Sequence, residues 1–457
     1  MDLKDNVEKN AQLLEELTPI VKNNNRIDPE LYVKHNVKRG LRNNDGTGVL
    51  VGLTEIGDVH AYVMNEGQKV PVDGRLSYRG IDVYDLVKDF TEDKRFGFEE
   101  TCYLLLFGEL PSEKNLADFN TLLGNLRALP DSFTEDMILK APSKNIMNKL
   151  ARAVLASYSF DNDPDNNDVM NVLRQSIELI ARFPTMAAYG YQAKRHYHDK
   201  KSLYIHSPKP KLSTAENILH MIRPDKKYTQ TEAETLDLAL VLHAEHGGGN
   251  NSTFVTHVVS STGTDTYSAI AAAVGSLKGP LHGGANAKVL SMMENIKTNV
   301  KNWEDEAEVA EYLGKIINKD AFDGSGLIYG MGHAVYTLSD PRAVLLKRKA
   351  QELAIEKGVE KEKEFKLYNL IEKLTPEVFL KVKKSDKVMC ANVDFYSGFV
   401  YNMLNIPEEL HTPIFAIARI PGWCAHRVEE IVSGCRIIRP AYKNVSEKKE
   451  YVKLSER

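Results

Sequence analysis

Two histidine segments and one arginine concentrate the residues able to do chemistry in this 457-residue chain: Gly279-Pro280-Leu281-His282-Gly283-Gly284-Ala285-Asn286, Gly332-His333-Ala334-Val335 and Asp340-Pro341-Arg342. Each histidine sits beside glycine, where backbone can come close to a ligand. Arg342 follows His333 by nine residues and offers a planar fork suited to a carboxylate. Such a set binds a small polyanion and moves protons on carbon. His282, after Gly279-Pro280, is expected at a helix N-terminus, which disfavours imidazolium. A neutral ring there donates a hydrogen bond to a developing enolate oxygen without giving up a full proton. His333 closes Tyr329-Gly330-Met331-Gly332, a loop that wraps close to a ligand or moves. Asp394, between Val393 and Phe395, is a carboxylate that desolvation would make more basic, as a carbon-acid base requires; the plainer reading is an N-cap.

Further candidates flank these. His243 and His246 stand i, i+3 on one helix face, but without a nearby carboxylate or thiolate set they do not make a zinc site. His243, in an apolar stretch, reads as a core histidine. His246, beside Gly247-Gly248-Gly249 at a helix end, can face a cavity. Arg419 is expected to end a helix that starts at Thr412-Pro413, just before Pro421-Gly422, and Arg439 precedes Pro440. Each alone reads as a surface arginine; with Arg342 they could clamp a dicarboxylate.

The elements that must position these groups are mostly helices. Residues 1 to about 45 read as one amphipathic helix and an extended arm. Strand signals occur in Val49-Leu50-Val51-Gly52-Leu53 and Val59-His60-Ala61-Tyr62-Val63, suggesting a small hairpin region. From residue 81 onward the pattern is helical. Asp82 opens a helix, and Phe98 to Phe107 ends at the C-cap Gly108. Thr231-Glu232-Ala233-Glu234 reads as a capping box before a core helix that breaks near His246. Asp265 caps the next, which Gly279-Pro280 stops. The Lys/Glu run from Glu356 to Lys384 reads as a solvated helical face, with phosphate binding by Lys383, Lys384 or Lys387 as the sharper alternative.

Composition narrows the classes. Hydrophobic residues make 42% and charged residues 27% of the chain, and 59 basic against 63 acidic residues leave a net charge of −4. Bulk basicity therefore does not argue for nucleic acid or membrane as partner, and an anionic substrate needs a local basic pocket. Cys102, Cys390, Cys424 and Cys435 include no Cys-x-x-Cys pair, so reduced thiols are expected rather than a zinc ribbon or redox motif. With no apolar leader and no stretch of ~18 apolar residues, the cytoplasm is the default compartment.

At these residues the chain resembles the citrate synthase family. The matching segments occur in family order across roughly residues 75 to 442: Tyr78-Arg79-Gly80-Ile81, Leu104 to Pro111, Ala215 to Leu219, His243-Ala244-Glu245-His246, Gly279 to Asn286, Gly332 to Arg342, Asn392-Val393-Asp394 and Arg439-Pro440. The resemblance implies an all-α, multi-helical fold of two domains with a small β-hairpin region near the N-terminus. A large domain (46–284 and 401–457) and a small one (285–400) would follow an N-terminal helix and arm (1–45). It implies condensation of acetyl-CoA with oxaloacetate, the site lying in the interdomain cleft. By position, His246 would contact oxaloacetate and His282 would stabilise the enol or enolate. His333 would polarise the oxaloacetate carbonyl, and Asp394 would remove the methyl proton. Arg342 and Arg419 would bind carboxylates, and Arg439 would do so from the partner subunit of a homodimer. Gly330, Gly332 and Lys387 would bind CoA. No metal and no permanently bound cofactor is expected, the CoA thioester being a co-substrate. Thr337 stands where the family usually carries a basic residue for the CoA phosphates, so Lys347, Arg348 or Lys387 would substitute. A 2-methylcitrate synthase using propionyl-CoA differs by one methylene, worth only ~1–3 kcal/mol, and stays open as the alternative. A catalytically idle member is disfavoured by the complete set of site residues.

Overall fold

Capping chemistry sets where many of the helices begin. In the computed structural model, which describes residues 3–43, 46–65, 68–333, 335–384 and 388–457, Asp82, Asp265 and Asp340 each accept from a backbone N–H of the first turn, satisfying a donor that the helix itself cannot. The elements are α1 (Leu3–Asn24), α2 (Pro29–Lys34), β1 (Gly57–Asn65), β2 (Gln68–Tyr78), β3 (Ile81–Asp82), α3 (Val83–Glu92), α4 (Phe98–Phe107), α5 (Glu113–Leu126), α6 (Ile146–Ser157), α7 (Val169–Tyr197), α8 (Thr214–Ile222), α9 (Gln230–His243), α10 (Asn251–Ser260), α11 (Thr266–Leu277), α12 (Ala285–Asn299), α13 (Glu306–Ile317), α14 (Pro341–Lys357), α15 (Val359–Lys383), α16 (Val393–Met403) and α17 (His411–Val432). The expected class, helical with a small antiparallel sheet, is what forms. Two units divide the chain, Met1–Gly52 and Leu53–Arg457. The first holds α1 and α2. No helix among the described residues is long and apolar enough to cross a membrane.

In the second unit the strands run in order β1-β2-β3, both pairings antiparallel, with a register shift between His60 and Tyr62. The sheet seats directly against the loop before α14. A Cβ on Gly74 would lie 2.1 Å from the Ser339 carbonyl oxygen, so only glycine lets the strand approach, and Gly74 N–H donates to Ser339 Oγ (3.1 Å). The Tyr78 hydroxyl donates to the Val241 carbonyl (2.8 Å), tying the strand to α9.

α17 is the central mast. His411, Pro413, Ile414 and every residue from Ala416 to Arg427 are buried, and the helix packs on α4, α7, α9, α10 and α11. It does not stop before Pro421. An interior proline costs about 3 kcal/mol, but burying Ile414, Ile417 and Ile420 contributes about 1.5–3 kcal/mol each, which offsets it. Arg419 is consequently mid-helix and fully buried, not a surface arginine at a helix end.

Three further expectations change. Val49 to Leu53 is not a strand: Leu50 and Leu53 are 85% and 90% exposed, and β-propensity without a partner edge does not hold a strand. The capping box of α9 forms two residues earlier, between Thr229 and Glu232. Glu232 is held there by Arg223 and Lys357, which Glu234 is not. The Lys/Glu run splits at Gly358 (φ +100°) and is solvated on one side only, since Glu364 is buried between Lys297 and Lys361.

Candidate active site

Two short segments without helix or strand are zipped together, one carrying His333 and the other leading into α16 and Asp394. Met331 bridges Ala391, Gly332 N–H donates to Cys390 O (2.7 Å) and Asn392 N–H to Gly330 O (2.8 Å). Gly330 and Gly332 have φ of +82° and +88°, and a Cβ at Gly330 would meet Phe395 Cα at 2.9 Å. The glycines are therefore required by backbone conformation and close approach, in addition to any contact with a ligand. The zipper sets His333 beside the start of α16, where Asn392, not Asp394, is the N-cap.

His333 Nδ1 accepts from the backbone N–H groups of Val335 (3.0 Å) and Tyr336 (3.1 Å). An accepting Nδ1 puts the ring proton on Nε2, so His333 is a neutral donor at that nitrogen. Its ring meets that of His246 edge-on, centroids 5.4 Å apart, and Tyr336 packs against both. Burial, with Arg342 nearby, holds the His246 imidazole well below the usual histidine range. Its Nε2 is shielded and has no hydrogen bond among the described residues.

The two arginines differ. Arg342 is gripped by Asp340, its Nε on Oδ1 (3.0 Å) and its Nη2 on Oδ2 (2.8 Å). Burial alone would lower its pKa, but the Asp340 charge outweighs it and the pKa is raised. The same carboxylate caps α14 and accepts from Val393 N–H (3.2 Å), so one side chain locks α14 to α16. Arg419 has only its Nε satisfied, by the His243 carbonyl at 2.6 Å. Its Nη1 and Nη2 are buried without a hydrogen-bond partner among the described residues, and burial lowers its pKa to about 10. The Glu245 charge acts on it, but two orphan nitrogens on a buried guanidinium leave room for a hydrogen-bonded anion.

Asp394 is half-buried, and desolvation raises its pKa to about 6, with Arg342 pulling the other way. A small cavity opens between it and Gly283, lined also by His243, Asn286, Ser397, Tyr401, His411, Thr412 and Phe415. His282 lies in the turn three residues before α12 begins, not in the helix: Gly283 N–H bonds back to Leu277 O and Gly279 O, so the helical pattern starts only at Ala285. Its neutrality comes from burial first and Arg419 second, which lower its pKa to about 4. His282 Nε2 is 3.1 Å from Ser252 Oγ, which accepts from Trp423 Nε1 (3.1 Å) and lies 2.9 Å from Asn250 Oδ1. Ser252 and Trp423 escaped the sequence reading; the one signal for Ser252 is its place two residues past the N-cap Asn250 of α10.

Other candidates fall outside this group. His243 is a core histidine, its Nδ1 on the Ala239 carbonyl at 2.7 Å and its pKa lowered to about 3 by burial. Arg439 is exposed in the C-terminal segment, which is pinned by Ile438 N–H to Ser261 Oγ (3.1 Å). Of the cations that could replace a basic residue at Thr337, Lys347 is engaged by Glu372 at 2.6 Å and Arg348 is exposed. Lys383 and Lys384 are exposed at the end of α15, and Lys387 lies outside the described residues.

Comparison with known proteins finds relatives over most of the chain. The family model described as "Citrate synthase, C-terminal domain" matches residues 45–441. A citrate synthase of Deinococcus radiodurans is 36% identical over 370 residues, covering 80% of this chain and 89% of that protein. A 2-methylcitrate synthase 1 of Corynebacterium glutamicum is 33% identical over 428 residues, covering 92% and 98%. Among solved structures, the citrate synthase of Thermoplasma acidophilum, in ternary complex with carboxymethyl coenzyme A and oxaloacetate, superposes with a TM-score of 0.73 at 28% identity, covering 92% of this chain and 99% of that one. The chain belongs to the citrate synthase family and is an acyltransferase.

Proposed function

We propose that the enzyme condenses acetyl-CoA with oxaloacetate and water, giving citrate and CoA. The observation that carries this is the buried Arg419, whose two nitrogens without a partner among the described residues call for a carboxylate beside His246 and Arg342. Asp394, with its pKa near 6, takes the proton from the acetyl methyl group. His282 donates a ring N–H to the enolate oxygen; one well-placed donor contributes roughly 3–4 kcal/mol. His333 Nε2–H polarises the ketone of oxaloacetate as the enol carbon attacks it. Arg342, Arg419 and His246 hold the carboxylates. Water then hydrolyses the citryl-CoA thioester.

Around this site, residues 285–400 act as the small domain, closing on the remainder of the second unit and excluding water until the carbon–carbon bond has formed. The CoA thioester is a co-substrate, with no permanently bound cofactor, and Gly330, Gly332 and Lys387 contact it. The enzyme works in the cytoplasm as a homodimer in which Arg439 reaches the neighbouring site. The exposure of Arg439 in its own chain fits that role. An inactive Arg439→Ala chain mixed with an inactive Asp394→Asn chain then recovers activity in hybrid dimers, and mixtures that stay dead exclude the shared site.

The test is free-thiol release with oxaloacetate and acetyl-CoA, run beside propionyl-CoA and a blank lacking oxaloacetate. Oxaloacetate-dependent release with acetyl-CoA preferred supports the proposal. The second reading, 2-methylcitrate synthase, is supported by relatives of that name at 33% identity and takes over if propionyl-CoA is preferred. Folded protein that releases thiol with neither overturns both.

A further inference from the structure

A second histidine pair lies outside the groups given roles above. His257 on α10 and His426 on α17 face each other, His257 Nε2 standing 3.1 Å from His426 Nδ1. The outer nitrogen of each ring meets a carboxylate: His257 Nδ1 is 3.0 Å from Glu430 Oε2, and His426 Nε2 is 3.1 Å from Glu245 Oε1. A third donor converges on the inner nitrogens. Glu429 Oε2 is buried, makes no hydrogen bond among the described residues, and lies 3.7 Å from His426 Nδ1. Its other oxygen accepts from Glu55 N–H at 2.8 Å, which fixes the carboxylate. Thr54 Oγ1, 3.4 Å from His426 Nδ1, supplies a further oxygen. The three inner ligand atoms all lie within 4.8 Å of one another.

This is the arrangement of ligating imidazoles. A metal-bound histidine gives one nitrogen to the ion and donates its other N–H to a carboxylate, which orients the ring and makes it a better ligand. Here the His257 ring is held that way by Glu430, and Glu245 stands at ion-pair distance from the outer nitrogen of His426, which makes no hydrogen bond among the described residues. A proton shared between the rings would account for their contact but would leave Glu429 Oε2 unused. Two imidazole nitrogens and a carboxylate oxygen, with room for a fourth oxygen, suit a borderline divalent ion that prefers four-coordination. We infer that His257, His426 and Glu429 form a binding site for a divalent cation of the Zn²⁺ class, with Glu430 and Glu245 orienting the two rings. The ion joins α10 to α17, and through Glu245 it abuts His246 in the candidate active site. The inference does not depend on which acyl-CoA the enzyme uses.

Metal-stripped full-length protein is titrated with Zn²⁺ alone against a chromophoric chelator. Wild type is expected to bind one ion per chain, to gain thermal stability on binding, and with Co²⁺ to show the absorption of four-coordinate cobalt. His257→Asn and Glu429→Gln, at the partly exposed edge of the cluster, each weaken binding at least ~10-fold, and Glu430→Gln, which removes only a ring-orienting carboxylate, weakens it about 10-fold. Circular dichroism establishes that the variants are folded; where a ligand variant is not, the Glu430→Gln affinity decides. Wild type that binds less than one ion per chain, or folded variants that bind as wild type does, overturn the site.

Discussion

The two walls of the candidate active site are built on different principles. The helical wall, Arg419 on α17 with His246 past the end of α9, leaves polar groups unmet: two guanidinium nitrogens and one imidazole nitrogen are buried without partners among the described residues. The loop wall is satisfied from within. Asp340 grips Arg342, and two backbone N–H groups hold His333. The first wall bears a standing desolvation cost that an anion relieves; the second holds its groups in place before any ligand arrives. Affinity for the dianion should therefore depend most on the helical wall, and chemistry on the precision of the loop wall.

The comparison can be broken most sharply at the chemistry. Asp394→Asn and His282→Ala should each lower kcat at least ~10²-fold in folded protein; near-normal turnover in either removes its assigned role. The pH dependence follows from the same carboxylate. Its folded pKa is raised to about 6, and the base works only when ionised. kcat/KM should rise with pH through about 6, and the Asp394→Asn residual activity should lack that limb.

Arg419→Ala should raise KM for oxaloacetate more than it lowers kcat. Truncating one member of a buried charge pair costs about 2–5 kcal/mol, so at least about 30-fold in kcat/KM is expected in steady-state kinetics. An unchanged KM would mean that the orphan nitrogens serve no ligand. On the loop wall, Asp340→Ala strands the Arg342 charge and cuts the link to Val393. The loss should appear as stability, about 3–5 kcal/mol in denaturant unfolding; a smaller loss would show that the grip is not what preorganises this wall. The smallest effect belongs to Ser252→Ala. One hydrogen bond is worth about 0.5–1.5 kcal/mol, so kcat should fall about 2- to 10-fold with KM for oxaloacetate unchanged.

How much of this was legible depends on the range of the interaction concerned. Asp340-Pro341 announced a helix start, and Gly108 a helix end (φ +79°), because caps are hydrogen bonds across two to four residues. The capping box of α9 slipped by two because Thr229 and Thr231 both carry the local signal, and only the distant Lys357, with Arg223, selects Glu232. Val49 to Leu53 had strand composition but no edge to pair with. The apolar neighbours of Asp394 mark it as a base candidate, whereas the reason for its raised pKa, burial opposed by Arg342, depends on the fold.

By itself the sequence determined the residue types: the histidines beside glycines, the arginine after Asp-Pro, the carboxylate between Val393 and Phe395, and the period that makes the chain helical. These are properties of neighbours a few positions apart, and local sterics and hydrogen bonding specify them. The tertiary structure alone decided which arginine is left unsatisfied. Arg419 read as a surface residue before a helix-stopping proline; it is buried because packing around α17 outweighs the cost of Pro421, and its η nitrogens are orphaned because the packing that buries it supplies no carboxylate at hydrogen-bond distance.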